Sequence, residues 1–330
     1  MNSAARRVAW VSVGVALLGF LIYESGPARI ASDLQSVGQG LIVIIALEFV
    51  VDGFHTLGWW FTFPAEARRG SYWTLYFVRL AGTALNQTLP AASMGGEPAK
   101  VFLLAPQFAV ATTIATVMTS SLIFSLTKAL FIAFGMVVTW HRVQLPHGFV
   151  IAVVIGFIAT LVGILGFMLL MLRGFASAVN RIVARLPIPA AWVDHVGRLA
   201  PVVDEEVRAL HRTRPRDLAM AAVSHLPAFF VGVIQVWLLL GWLGLARGFG
   251  TALAIESFSM LLGFVMFAVP GGIGVQEGGM LLVFAALGLP AAAGLATGIA
   301  FRLTSIVGAA AGLLTFTALK GRKSPELVDG

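Results

Sequence analysis

Two glycine- and proline-rich segments interrupt long apolar stretches of this chain. The first reads LNQTLPAASMGGEPAK from Leu85 to Lys100, the second reads VPGGIGVQEGG from Val269 to Gly279, and each holds a glutamate. Hydrocarbon offers backbone groups no hydrogen-bond partner, so broken helix at membrane depth persists only where protein buries it or where it lines a polar cavity. These segments therefore predict the functional site. Their break residues are Pro90, Gly95, Gly96, Pro270, Gly271 and Gly272.

The composition places the chain in the membrane class. Hydrophobic residues make up 58% of the sequence, charged residues 11%, and the mean hydropathy is +0.92. Several apolar runs reach about 20 residues, the length that a transmembrane helix needs. The sequence predicts an all-α, polytopic helical bundle in the bacterial inner (plasma) membrane. Because the chain has no cysteine, it has no disulfide framework and no thiolate metal site.

Apolar segments predict six full spans and two re-entrant hairpins that enter from opposite faces. The segments lie near 8–23, 39–63, 72–90, 107–140, 147–172, 218–243, 251–269, 279–288 and 291–319. The first hairpin corresponds to 72–106, and the second contains residues 279–288, which supply only about half the length of a span. Both hairpins contain Pro, Gly-Gly and Glu, the kind of pattern that inverted repeats with discontinuous helices produce in transporters.

The distribution of basic residues predicts the orientation, because basic short loops stay cytoplasmic. With both termini inside, 15 of the 22 Lys and Arg residues are cytoplasmic, and only Arg29, Arg142 and Arg247 lie outside. We predict one transmembrane domain over 1–320 and a cytoplasmic tail over 321–330. The arginine-rich segment 173–217 is predicted as a cytoplasmic amphipathic linker between the halves, and it either attracts anionic headgroups or is simply solvated. Tryptophans predict an inner belt of Trp59, Trp60 and Trp73 and an outer belt of Trp140, Trp237 and Trp242.

Ionisable residues inside spans are functional candidates, because a charge at the bilayer centre costs about 2.5–3.5 kcal/mol on insertion scales. Glu48, Asp52 and His55 share one face of the second span. They form either a proton relay or structural pairs with basic residues of neighbouring helices. The candidate bases for such pairs are Arg79, Lys128 and Arg302.

A second set of residues is predicted to line a headgroup path. Arg79 either holds a lipid phosphate bidentately or pairs with Asp52. Glu97 and Glu277 each follow a double glycine. An acid at this place either stabilises the start of a helix or belongs to the functional site, and the parallel placement of the two glutamates favours the functional site. The full predicted path comprises Arg79, Asn86, Glu97, Lys100, Lys128, Glu256, Gln276, Glu277 and Arg302. No catalytic residue, metal site, cofactor or nucleic-acid surface is predicted.

The motifs at the two breaks carry a family resemblance. N-x-x-x-P at 86–90 and G-G-E-P-A-K at 95–100 are followed by P-G-G-I-G-V-Q-E-G at 270–278, L-G-L at 287–289 and A-F-R-L at 300–303. This pattern resembles the flippase-like membrane domain of lysylphosphatidylglycerol synthases over about residues 8–320. Members usually carry an arginine where this chain has Lys100. Some stand-alone members are associated with hopanoid biosynthesis, and the acidic second span is similar to theirs.

The resemblance implies lipid translocation without aminoacyl transfer, because a separate soluble domain performs that reaction in the fused enzymes. The implied cargo is an anionic or aminoacylated phospholipid, or a hopanoid. A homo-oligomer or a lipid-synthesis enzyme is an expected partner. Two alternatives stay open: a membrane subunit of lipid or hopanoid modification, with or without catalysis of its own, and a proton-coupled transporter of a small solute.

Overall fold

The structure is a computed structural model that describes residues 38–88, 95–142, 147–185, 190–246, 248–265 and 275–320. Within these ranges the regular elements are all helical. They are α1 (Gly40–Thr62), α2 (Ala65–Arg68), α3 (Tyr72–Thr88), α4 (Gly96–Leu104), α5 (Val110–Thr139), α6 (His147–Val183), α7 (Ala190–Thr213), α8 (Pro215–Trp242), α9 (Phe249–Val265), α10 (Val275–Ala286) and α11 (Ala291–Lys320). A 3₁₀ turn, Trp140–Arg142, follows α5.

Five of these helices, α1, α5, α6, α8 and α11, are long and apolar enough to cross a membrane. They occupy five of the six positions predicted for full spans. The predicted span 8–23 and the predicted tail 321–330 lie outside the described residues. The chain is an all-α, polytopic membrane protein.

The two halves of the bundle repeat one order of helices. In the first half, α1 precedes a 17-residue helix (α3), a short helix (α4) and a 30-residue helix (α5). In the second half, α8 precedes a 17-residue helix (α9), a short helix (α10) and a 30-residue helix (α11). The crude Pro/Gly parallel in the sequence therefore coincides with a parallel in helix order and length.

Equivalent helices of the halves run in opposite directions. Helices α1 and α8 are antiparallel, because Gly40 lies against Trp242 at one end and His55 contacts His225 towards the other. The long helix of each half packs along the 17-residue helix of the other, α11 on α3 and α5 on α9. This exchange of partners is what an inverted internal repeat produces.

The helices α3 and α4 form a tight antiparallel pair. Gly96 lies against the backbone of Gly82, so a side chain at either position would overlap the partner helix. The two helices extend roughly 25 Å and 14 Å, each shorter than the hydrocarbon core of about 30 Å. These lengths suit a hairpin that enters the membrane and returns, although re-entry itself remains a prediction. The turn between the helices, with Pro90, lies outside the described residues, as does the second turn with Pro270, Gly271 and Gly272.

The basic linker predicted over 173–217 is largely helical. Helix α6 breaks at Gly174, whose φ of 107° favours glycine. The break lies one residue after Arg173, where the linker was predicted to begin. The buried carboxylate of Asp204 on α7 accepts hydrogen bonds from the backbone N–H groups of Ala176 and Ser177, both at 2.9 Å. It therefore caps the helix that restarts after the break and fixes α7 against α6.

Arg68 joins the end of α1 to the start of α8. Its guanidinium donates to the carbonyl oxygens of Phe61 and Phe63 and pairs with Asp217 in the first turn of α8. Lys320, at the end of α11, and Trp73, at the start of α3, line one groove. Basic residues thus gather at one end of the bundle, as the predicted orientation requires, and the membrane side of that end remains a prediction.

We predict that Gly312→Ala destabilises the bundle and that Gly308→Ala does not. A methyl group at 312 would overlap the backbone oxygen of Leu80 on α3, whereas nothing lies within 4 Å of one at 308 on the same helix. Overpacking of this kind costs about 1–3 kcal/mol of unfolding free energy. Reversible unfolding in mixed micelles measures it. Equal stabilities of the two variants would contradict the α3–α11 packing.

Candidate functional site

A polar cavity of about 180 Å³ lies between the α3–α4 hairpin and helices α1, α5 and α8. The hairpin contributes four of the residues predicted for the path, namely Arg79, Asn86, Glu97 and Lys100, together with Thr83. The other helices contribute Trp59, Val117, Ser120, Ser121, Phe124 and His225. The structure therefore brings one group of predicted residues together around a single hollow.

Lys100 is the buried cation of this cavity. Its Nζ donates to both carboxylate oxygens of Glu97, at 2.8 and 3.0 Å, and lies 5.6 Å from the centre of the Trp59 ring. The ammonium is thus held between a carboxylate and an aromatic face, both of which favour a cation. Trp59 is only 2% exposed, so its predicted place in a lipid-facing tryptophan belt is wrong.

Asn86 fixes the geometry of the hairpin. Its Oδ1 accepts a hydrogen bond of 2.6 Å from the backbone N–H of Gly96, and its Nδ2 lies 3.5 Å from Glu97 Oε1. Gly95 precedes α4 without a side-chain cap of its own. Asn86 therefore caps α4 from the neighbouring helix, while Glu97 occupies the first turn, where the helix dipole favours an acid.

Arg79 pairs with Asp52 across α1 and α3. The Arg79 Nε lies 3.4 Å from Asp52 Oδ1, an ion pair whose geometry is not that of a hydrogen bond. This pair is one of the two arrangements that the sequence allowed. The guanidinium also lines the cavity, so one side chain serves both the pair and the hollow.

Two buried histidines connect α1 and α8 beside the cavity. His55 Nδ1 and His225 Nδ1 are 3.0 Å apart, so one ring nitrogen donates to the other. Gly58 lies directly against the His225 ring. His225 Nε2 has no hydrogen-bond partner among the described residues, although His225 is buried and lines the hollow. A polar ligand or water in the cavity would satisfy this nitrogen.

Glu48, Glu256 and Lys128 belong to a second polar cluster. Gln235 Nε2 donates to the Ile44 carbonyl oxygen and lies 3.3 Å from Glu48 Oε2. Glu256 on α9 packs against Gly232, which lies one turn before Gln235 on α8. Its carboxylate interacts electrostatically with Glu48 and Lys128. Lys128 lies one turn along α5 from Phe124, a wall of the first cavity. The two clusters are therefore neighbours.

The remaining predicted residues lie outside these clusters or outside the part of the chain that the structure describes. Arg302 is buried on α11 and has interactions of its own. Gln276 and Glu277 lie on α10, and their side chains are outside the described part of the chain. Among the residues that the structure describes, no three His, Asp or Glu side chains are grouped as a metal site.

Sequence reasoning missed His225 and two serines of the cavity wall. His225 is an ionisable residue inside a span, so the rule that selected His55 could have selected it as well. Ser120 and Ser121 both line the cavity. The neighbouring Thr113 and Thr116 do bond to carbonyl oxygens of their own helix region.

Comparison with known proteins gives a match to one family. The model of the family described as lysylphosphatidylglycerol synthase TM region matches residues 7–312. The chain belongs to this family. A UPF0104 membrane protein of Methanothermobacter thermautotrophicus is 30% identical over 95 residues, which are 28% of this chain and 28% of that protein. No solved structure matches the chain.

We predict that Asn86→Ala loosens the hairpin and that Gln87→Ala does not. The first change removes the acceptor for the Gly96 N–H, whereas the adjacent Gln87 side chain is exposed. Loss of a helix cap costs about 1 kcal/mol, and unfolding in mixed micelles measures it. Equal stabilities would show that Asn86 does not hold the start of α4.

Proposed function

We propose that this protein moves an amphipathic lipid between the leaflets of the bacterial inner membrane. The observation that carries the proposal is the cavity that Arg79 and Lys100 line inside a bundle of membrane-spanning helices. A charged headgroup needs polar partners on its way through hydrocarbon. The lipid tails would stay in the bilayer while the headgroup passes along the cavity.

The charges of the cavity suit a headgroup with a phosphate. Arg79 offers a planar guanidinium and Lys100 a compact ammonium, and both recognise phosphate oxygens. Each is paired with one carboxylate, Asp52 and Glu97. We infer that the lipid phosphate replaces one of these carboxylates as the partner of Arg79 or Lys100. The basic side chain therefore stays paired with an anion when the headgroup binds.

We propose that the lipid leaves unaltered, that no cofactor is needed, and that both termini are cytoplasmic. Membership of a lysylphosphatidylglycerol synthase TM family supports a lipid as cargo. An anionic or aminoacylated phospholipid and a hopanoid derivative are the cargo classes that we propose to test first.

We predict that Arg79→Gln and Lys100→Gln each slow leaflet exchange about tenfold. The change removes a charge-assisted hydrogen bond to phosphate, which is worth about 1.5–3 kcal/mol. Purified protein in liposomes with a labelled phospholipid measures the exchange rate, and mass spectrometry verifies that the lipid is unaltered.

The matched control is Arg69→Gln, which removes the same charge from an exposed position outside the cavity. It is expected to exchange lipid at the wild-type rate. Wild-type rates in folded Arg79→Gln and Lys100→Gln proteins would contradict the proposal. Exchange that is unaffected by both Glu97→Gln and Glu277→Gln would remove these acids from the path.

A further inference from the structure

The outer face of the α3–α4 hairpin carries a second hollow, separate from the polar cavity. This groove has a volume of about 260 Å³ and lies between α3, α4 and the end of α11. Val78 and Leu103 line it, one residue before Arg79 and three residues after Lys100. The hairpin therefore has a polar cavity on one side and a groove on the other.

The lining of the groove is amphipathic. Phe77, Val78, Phe102 and Leu103 form an apolar wall, and Phe102 is 51% exposed. Polar groups lie at the ends of the helices, where Thr74, Gln107 and Lys320 contribute to the lining. Trp73 completes the groove and is 65% exposed, as is typical of indoles at a membrane interface.

We propose that this groove binds an anionic phospholipid of the surrounding bilayer. One acyl chain lies along Phe77 and Phe102, and the phosphate lies beside the Lys320 ammonium and the Trp73 indole. The position supports this occupant, because the groove lies between the start of α3 and the end of α11, where the Lys320 ammonium belongs to its lining. Basic residues near a bilayer surface attract anionic lipid.

This inference goes beyond translocation, because the groove can hold a lipid whether or not the cavity moves one. Lys320 lies 5.6 Å from the centre of the Phe316 ring, one turn earlier on α11. That contact keeps the ammonium near the end of α11.

The absence of cysteine from the sequence makes the test clean, since a single introduced thiol can carry a bimane fluorophore. The label is placed at Phe102→Cys in the groove and, for comparison, at Leu314→Cys, which is 70% exposed on α11 outside it. Brominated phosphatidylglycerol and brominated phosphatidylcholine with identical chains are added as quenchers to phosphatidylcholine vesicles. Because both lipids carry identical chains, the ratio of their quenching at one position does not depend on the depth of the label in the bilayer.

We expect the anionic lipid to quench the Phe102→Cys label with about fivefold higher apparent affinity than the zwitterionic lipid, as one nearby base provides. The ratio should be near one at Leu314→Cys. Adding Lys320→Gln should bring the Phe102→Cys ratio to about one, and Lys320→Arg should keep it near five.

An unlabelled measurement guards against a fluorophore that blocks the groove. The Trp73 emission, taken as the difference between the wild type and Trp73→Phe, should show the same preference for brominated phosphatidylglycerol. Equal ratios at Phe102→Cys and Leu314→Cys, a ratio unchanged by Lys320→Gln, or a Trp73 signal without preference would each overturn the proposal. Because occupancy is measured and exchange is not, either proposal can fail while the other stands.

Discussion

The structure depends on one constraint: hydrocarbon cannot hydrogen-bond or solvate a polar group, so the bundle must provide for each one internally. Several of the described residues meet this demand in pairs that join different helices. Asp52 pairs with Arg79, His55 with His225, and Gln235 bonds to α1. These contacts hold α1 against α3 and α8 and at the same time set the walls of the cavity. Stability and the polar path therefore rest on the same side chains.

The repeated halves explain why the polar groups meet near the centre of the bundle. Antiparallel packing of α1 on α8 brings the equivalent helices of the two halves together, and each long helix crosses to the 17-residue helix of the other half. The α3–α4 hairpin is inserted between these layers. Its inner face, with Lys100, lines the polar cavity, and its outer face, with Phe102, lines the groove. Two functions can thus be placed on one short hairpin.

Much of the fold was predictable because long apolar runs report spans directly. The predicted segment 39–63 is α1, and 107–140 contains α5. The break at Gly95 and Gly96 predicted the polar cavity beside α4, because broken helix within an apolar stretch must be buried by protein or line such a cavity. The pairings were not predictable, since Asp52 could have met any of three bases and only packing selects Arg79. The burial of Trp59 and the contact of His225 likewise depend on helices far apart in sequence, which no local pattern reports.

The central claim is that the polar residues face a water-accessible hollow, and thiol accessibility tests it most directly. Ser121→Cys lies in the cavity wall, Thr119→Cys lies at a fully buried site two residues earlier, and Leu130→Cys lies outside the cavity on the same helix, at a residue that is 60% exposed. A charged, membrane-impermeant methanethiosulfonate needs a hydrated thiolate to react. We predict that the Ser121→Cys protein in vesicles reacts at least about tenfold faster than both references. A rate as slow as that of Leu130→Cys would contradict the account.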